Sequence, residues 1–172
     1  GPLSLSPWWE KHPENFIIVN GAAKTFSMTG WRIGYTLAHP EYISAMSKLQ
    51  GQSTSNPCSI AQKAALAALT GGFDMLDDMR KVFERRRDMA MGIINSWPDI
   101  VCQKPDGAFY LFPDVHRHYN EAIPDSTTLC TVLLETAGVA LVPGIAFGDD
   151  RCVRISYAVD DATLETALHK TA

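Results

Sequence analysis

Asn20-Gly-Ala-Ala-Lys-Thr-Phe-Ser-Met-Thr-Gly-Trp-Arg-Ile-Gly-Tyr35 is the stretch on which the reading of the whole chain turns. An apolar run at residues 16–19 precedes it and reads as a buried strand. Past that strand stands a single lysine, Lys24, among Ala22, Ala23 and Phe26, and Arg32 follows eight positions later. A lysine and an arginine beyond a strand end ordinarily face solvent. Here the small and apolar neighbours give the amine little solvating company, and desolvation favours the neutral form that can act as a nucleophile. A fixed guanidinium nearby acts in the same direction. Such a pair can hold a carbonyl compound as an imine while the arginine takes an anionic group on the same molecule.

The segment resembles the cofactor-lysine motif of the fold-type I, class I aminotransferases, which use pyridoxal 5'-phosphate. It is most similar to the bacterial and plastid aspartate/prephenate aminotransferase branch, with its strand, Val-Asn-Gly, small-residue pair, Lys, and Met-Thr-Gly-Trp-Arg-x-Gly-Tyr. The resemblance implies that Lys24 is the catalytic, cofactor-holding lysine and that Arg32 binds the cofactor phosphate. Many relatives carry Ser immediately before the lysine, where its hydroxyl helps hold that phosphate; this chain has Ala23. The burden then shifts to Arg32 and to backbone N–H groups.

Composition narrows the alternatives. With 172 residues and 46% hydrophobic content the chain can bury a core as one or two domains. A net charge of −4 offers no basic footprint for nucleic acid. No apolar run is long enough to span a bilayer, and no signal peptide is visible. Gly1-Pro2 reads as a protease-cleavage scar. Cys58, Cys102, Cys130 and Cys152 form no Cys-x-x-Cys pair, so they read as free thiols in a reducing compartment, with no zinc site or disulfide framework. His116 and His118, two residues apart, lack the carboxylates of a ligand set, so no metal is expected there. The expected location is the cytoplasm, or a plastid if the source is a photosynthetic eukaryote.

Along the chain, residues 3–15 read as a Ser-, Pro- and Trp-rich loop in which Trp8 and Trp9 only pack. A second strand is expected over residues 31–37, then a helix opened by Pro40 with Ile43, Met46 and Leu49 on one face. A polar loop at residues 51–57 leads to an alanine-rich helix over 60–69, stopped by Gly71-Gly72. Residues 74–97 hold the longest helical periodicity, ended by Pro98. Its run Glu84-Arg-Arg-Arg-Asp88 reads as a solvated face whose carboxylates pair with the arginines. Residues 100–115 suggest a hairpin turning at Pro105-Asp-Gly107. A helix capped by Ser126 and closed by Gly138, strands at 139–142 and 152–157, and a last helix from Asp160 complete the pattern.

Arg154 lies inside the 152–157 strand, between Val153 and Ile155. One reading is a structural ion pair with Asp149 or Asp150; the other is a carboxylate clamp, since the guanidinium fork matches a carboxylate bidentately. The family's Val-Arg-x-Ser-Tyr strand favours the second and makes Arg154 the substrate-binding residue. The resemblance extends to Gly107-Ala-Phe-Tyr110, Val142-Pro-Gly144 and Phe147-Gly148, which line or support the site.

The family is about twice as long as this chain. The expected fold is therefore α/β and partial: the end of the large cofactor domain over 3–80, a connecting helix over 81–97, and most of the α+β small domain over 98–172. The aspartate that contacts the cofactor's pyridine nitrogen and the aromatic that stacks on its ring belong to the preceding half. The expected reaction is transamination between an aspartate- or glutamate-type amino acid and a 2-oxo acid, carried out by the parent protein and not by this piece alone. The alternatives are another pyridoxal-phosphate reaction, such as a lyase, and a non-catalytic truncated module. Expected partners are those small molecules and either a second copy in a homodimer or the missing N-terminal part.

Overall fold

The computed structural model describes residues 5–172, in two compact units, Gly1–Asp77 and Asp78–Ala172. The first unit opens with a short helix, α1 (Ser6–Lys11), where the sequence suggested only a loop. Pro7 at its start has no N–H to lose, and the His12 N–H closes the turn on the Trp8 carbonyl. Strands β1 (Ile17–Gly21) and β2 (Gly34–Ala38) pair antiparallel, from Ile17 opposite Ala38 to Gly21 opposite Gly34. A Cβ on Gly34 would stand 3.1 Å from the Asn20 carbonyl oxygen, so glycine permits the close approach at the ribbon's end. The second strand begins three residues later than expected. A 3-10 turn at Thr29–Trp31 and a left-handed Arg32 occupy the intervening positions.

β1 is not buried as its composition suggested. Ile17 is 49% and Val19 75% exposed, because the ribbon has two strands only among the described residues. Helix α2 (Pro40–Ser53) takes Pro40 at its first turn and runs through Gly51, but none of its residues is buried. Helix α3 (Ser59–Thr70) buries Ala61 and Ala65 and ends against Gly71. The small cluster here is Ala22, Met28 and Ala65, with Phe26, Ile33, Ala64 and Ala68 packed on it.

Helix α4 (Asp74–Ile94) spans the boundary between the units and ends three residues short of the periodic pattern. The N–H groups of Ser96 and Trp97 bond to the Ile93 and Ile94 carbonyls, tightening the chain before Pro98, which disfavours a helical Trp97. The second unit's sheet has the order β3 (Tyr110–Leu111), β5 (Val153–Ser156), β4 (Val142–Pro143), all antiparallel.

The expected 100–115 hairpin is reduced to one bridge, Val101 to Asp114. On the opposite edge residues 109–113 pair with β5 and its flank: Tyr157 N–H donates to the Phe109 carbonyl and Val153 N–H to that of Pro113. Helix α5 (Ser126–Ala137) is capped by Asp125, whose carboxylate accepts from Thr128 N–H at 2.7 Å. Ser126, the expected cap, is fully buried and donates to Asp150 instead. Gly138 closes α5 at φ 68°, and Asp160 caps α6 (Asp161–Thr171). Ala90, Ile94, Leu111, Ile155, Tyr157, Leu164 and Leu168 lie at the centre of the core between helices and sheet. Among the described residues no helix is long and apolar enough to cross a membrane.

Candidate active site

Lys24 sits in a turn three residues beyond β1, within the loop of residues 22–33 that joins the paired strands. Ala22 is 2% exposed and Met28 7%, so the loop is anchored at both points, while Lys24 itself is exposed. The desolvation expected from its apolar neighbours is therefore not supplied: Ala22 packs inward and leaves the lysine at the surface. The N–H groups of Phe26 and Ser27 return to the carbonyls of Ala22 and Lys24, curling the backbone around the lysine.

Thr29 ties this turn to Arg32. Its hydroxyl donates to the Ala23 carbonyl at 3.2 Å, and its own carbonyl accepts from Arg32 Nη1 at 3.1 Å. Lys24 and Arg32 are thus held in one hydrogen-bonded loop, eight residues apart in sequence but joined through a single threonine. That role of Thr29 has no signature in the residue pattern. Apart from Nη1, the Arg32 donors meet no partner among the described residues. An exposed amine and a guanidinium with open donors on one loop fit a ligand that carries both an aldehyde and a phosphate. Ala23 adds no hydroxyl, but its carbonyl fixes Thr29.

Backbone strain gathers around the candidate residues. Among the described residues five non-glycine positions have positive φ, and Ser27 (53°) and Arg32 (50°) are both in the Lys24 loop. A third, Ala108 (63°), lies in the turn leading to Tyr110. Such conformations persist only where surrounding structure imposes them, and they concentrate at functional sites.

Arg154 occupies β5 in the second unit, half-buried and paired in register with Val142. Val153, Ile155 and Tyr157 point into the core, so Arg154 and Ser156 share the opposite face. The structural ion pair that the sequence left open is absent. Asp149 is engaged by Arg151 at 3.0 and 2.7 Å, which holds its carboxyl down at about 2, and Asp150 accepts from the Ser126 N–H and hydroxyl. What Arg154 meets instead is aromatic. Its guanidinium carbon lies 4.4 Å from the Tyr110 ring centroid and 4.5 Å from that of Phe147. Among the described residues it makes no hydrogen bond or ion pair, so its donors remain available to a ligand. The motifs around Tyr110 and Phe147 stood out in the sequence, though not as partners of this arginine.

Comparison with known proteins matches residues 3–170 to the profile of a family described as aminotransferase class I and II. The chain belongs to this family. Over 155 residues it is 45% identical to an asparagine–oxo-acid transaminase of Streptococcus mutans, covering 90% of this chain and 39% of that protein. Over 154 residues it is 46% identical to an aspartate/prephenate aminotransferase of Cereibacter sphaeroides, covering 86% and 38%. Among solved structures, the aspartate aminotransferase from Thermus thermophilus with maleate is similar at TM-score 0.85 and 39% identity, over 94% of this chain and 42% of that one. The chain thus spans about two fifths of the length of the curated relatives it matches. Class I aminotransferases depend on pyridoxal phosphate. The chain has the mixed helix-and-sheet character of part of the fold-type I architecture.

Proposed function

We propose that this aminotransferase chain is part of a longer polypeptide that transfers an amino group between an aspartate- or glutamate-type amino acid and a 2-oxo acid. The observation that carries the reading is the loop between Gly21 and Gly34, which holds both Lys24 and Arg32 and is tied across by Thr29 from the Ala23 carbonyl to Arg32 Nη1. Residues 3–80 then belong to the large cofactor domain and 98–172 to the small domain. The larger part of the relatives' length lies outside the matched stretch. In the full-length protein we assign the exposed apolar positions of the first unit, such as Val19 and Leu49, to contacts with that remainder or with a second copy.

In this assignment Lys24 Nζ anchors pyridoxal phosphate, and Arg32 neutralises the phosphate with donors that Thr29 orients. When bound, pyridoxal phosphate supplies the electron sink for the pair left on the substrate's α-carbon. Lys24 Nζ would also be the base that accepts the substrate's α-proton and delivers it to the acceptor carbon on the cofactor side. Arg154 would hold the substrate by its carboxylate and so fix its orientation. A lyase would use the same residues. The relatives' names favour transamination, and product analysis with aspartate and 2-oxoglutarate separates the two.

The test is borohydride reduction of the full-length protein with pyridoxal phosphate, followed by peptide mass mapping. One phosphopyridoxyl group should be found on the Lys24 peptide. Lys24→Ala should lose the label and reduce turnover by at least about a thousandfold, the scale of a lost general base that is also the anchor. Labelling spread over other lysines, or unchanged turnover in Lys24→Ala, refutes the assignment.

A further inference from the structure

We propose that Tyr110 and Phe147 are positioning residues for Arg154, forming an aromatic clamp that aims its guanidinium before a carboxylate arrives. This rests on the reading of Arg154 as the substrate-carboxylate residue and adds the means by which it is held. The two rings lie 4.4 and 4.5 Å from the guanidinium carbon, so the one cation is in contact with both. Arginine is flexible, and ordering it on binding costs affinity unless the free protein has already done so. A carboxylate partner would order it too, but would consume the donors the ligand needs. Aromatic rings attract the cation through their faces and leave the in-plane N–H fork open. That is the arrangement found here.

Both rings are themselves held. Tyr110 stands opposite Ser156 in the β3–β5 pair, which places it as the diagonal neighbour of Arg154 on the same sheet face. Its ring lies 4.4 Å from that of Phe109, and the strained Ala108 behind it is fixed by the Tyr157 hydroxyl on its carbonyl. Phe147 projects from a loop closed on itself. Gly144 N–H donates to Cys152, Asp149 N–H returns to Gly144, and a Cβ on Gly144 would fall 2.1 Å from the Cys152 oxygen. Gly148, at φ 87°, ends the turn that carries Phe147. Asp150 and the buried Ser126 pin the same loop, with Ile145 N–H reaching the Ser126 hydroxyl. Phe112 meets the Phe147 ring edge-on at 6.0 Å.

The experiment uses the full-length protein loaded with pyridoxal phosphate, with maleate as a non-reacting dicarboxylate probe. Tyr110→Leu and Phe147→Leu should each raise KM for the amino acid and weaken maleate by about fivefold, and together by about twentyfold, the range of one and two partly exposed cation–π contacts. Their kcat should stay within about twofold. Tyr110→Phe and Phe147→Tyr keep a ring face and should keep the original KM and maleate affinity. Methionine at either position keeps bulk without a ring and should reproduce the leucine effect should a leucine variant fail to fold. Arg154→Ala separates the two readings, since it should raise KM at least about a hundredfold with the cofactor absorbance intact. Unchanged KM in Arg154→Ala overturns the carboxylate reading itself. A large effect there with no KM change in the ring variants overturns only the clamp, as does damage by Tyr110→Phe equal to that of Tyr110→Leu.

Discussion

In the second unit twelve residues, from Ala90 to Leu168, interlock as one core, whereas among the described residues of the first only Ala22, Met28 and Ala65 form a comparable cluster. The contrast lies in the partners and not in hydrophobicity, because the first unit has apolar residues in quantity. Val19, Leu49, Ile60 and Leu66 are each more than half exposed. In the second unit one face of the sheet and the inner faces of its helices close on a shared core; in the first, a two-stranded ribbon and α2 present faces that no described residue covers. A domain needs two packed layers around a core. The second unit meets that condition within this chain, and the first carries Lys24 on a surface still open on one side.

Core truncation should expose this difference most strongly. Leu164→Ala removes a side chain that is 2% exposed and should destabilise the second unit by about 2–5 kcal/mol in urea unfolding. Leu49→Ala, at a position 72% exposed, should change the stability of the 172-residue chain by less than about 0.5 kcal/mol. In the full-length protein the Leu49→Ala cost should rise towards the buried-leucine range, if the remainder covers that face. Equal costs for the two substitutions in the short chain would break the comparison, and an unchanged Leu49→Ala cost in the full-length protein would remove the covering segment from the argument.

Much of this was legible in the residues. The long helix was marked by its spacing, α5 and α6 by their terminal Gly and Asp, and β5 by alternation around Arg154. What escaped the sequence depended on non-local competition. Residues 100–104 meet the following segment at a single bridge, whereas residues 109–113 take as main partner β5, far along the chain, a choice invisible in local pattern. Ser126 looked like a cap, yet Asp125 beside it filled that role while the serine was drawn to Asp150, 24 residues away. Among the candidate residues, Lys24, Arg32 and Arg154 stood out by type and motif. Thr29 did not, since a threonine that bridges two backbone segments through its hydroxyl and carbonyl has no one-dimensional signature. The aromatic partners of Arg154 were visible only as motifs of their own.

Helix caps extend the comparison at smaller scale. Asp125 and Asp160 each accept the N–H three residues on, at 2.7 and 3.0 Å, whereas His39 and Cys58, at the starts of α2 and α3, provide no side-chain cap. Asp125→Ala should therefore cost about 1 kcal/mol, and His39→Ala close to nothing, in the same unfolding assay. A cost for His39→Ala equal to that for Asp125→Ala would show that the first unit draws on end interactions the structure does not contain.

The weakest expected effect concerns acid, and it too should separate the units. Arg87 and then Lys104 hold the Asp88 carboxyl at about 2, Arg151 does the same for Asp149, and Thr163 lowers Asp160. All three belong to the second unit. A carboxyl depressed in the folded state adds stability that is complete above its unfolded value, near ~4, and lost as pH falls through the folded value. The second unit should accordingly weaken between about pH 4 and pH 2, and added salt should blunt the effect because these pairs are exposed. Trp97, 8% exposed, is the natural reporter: its indole N–H resonance should lose protection over that window. Asp88→Asn combined with Asp149→Asn should flatten the profile, with somewhat lower stability at neutral pH. The β1–β2 amides of the first unit should not follow the same curve from this cause. A Trp97 signal that fades identically in the double variant would place the acid sensitivity outside these carboxylates.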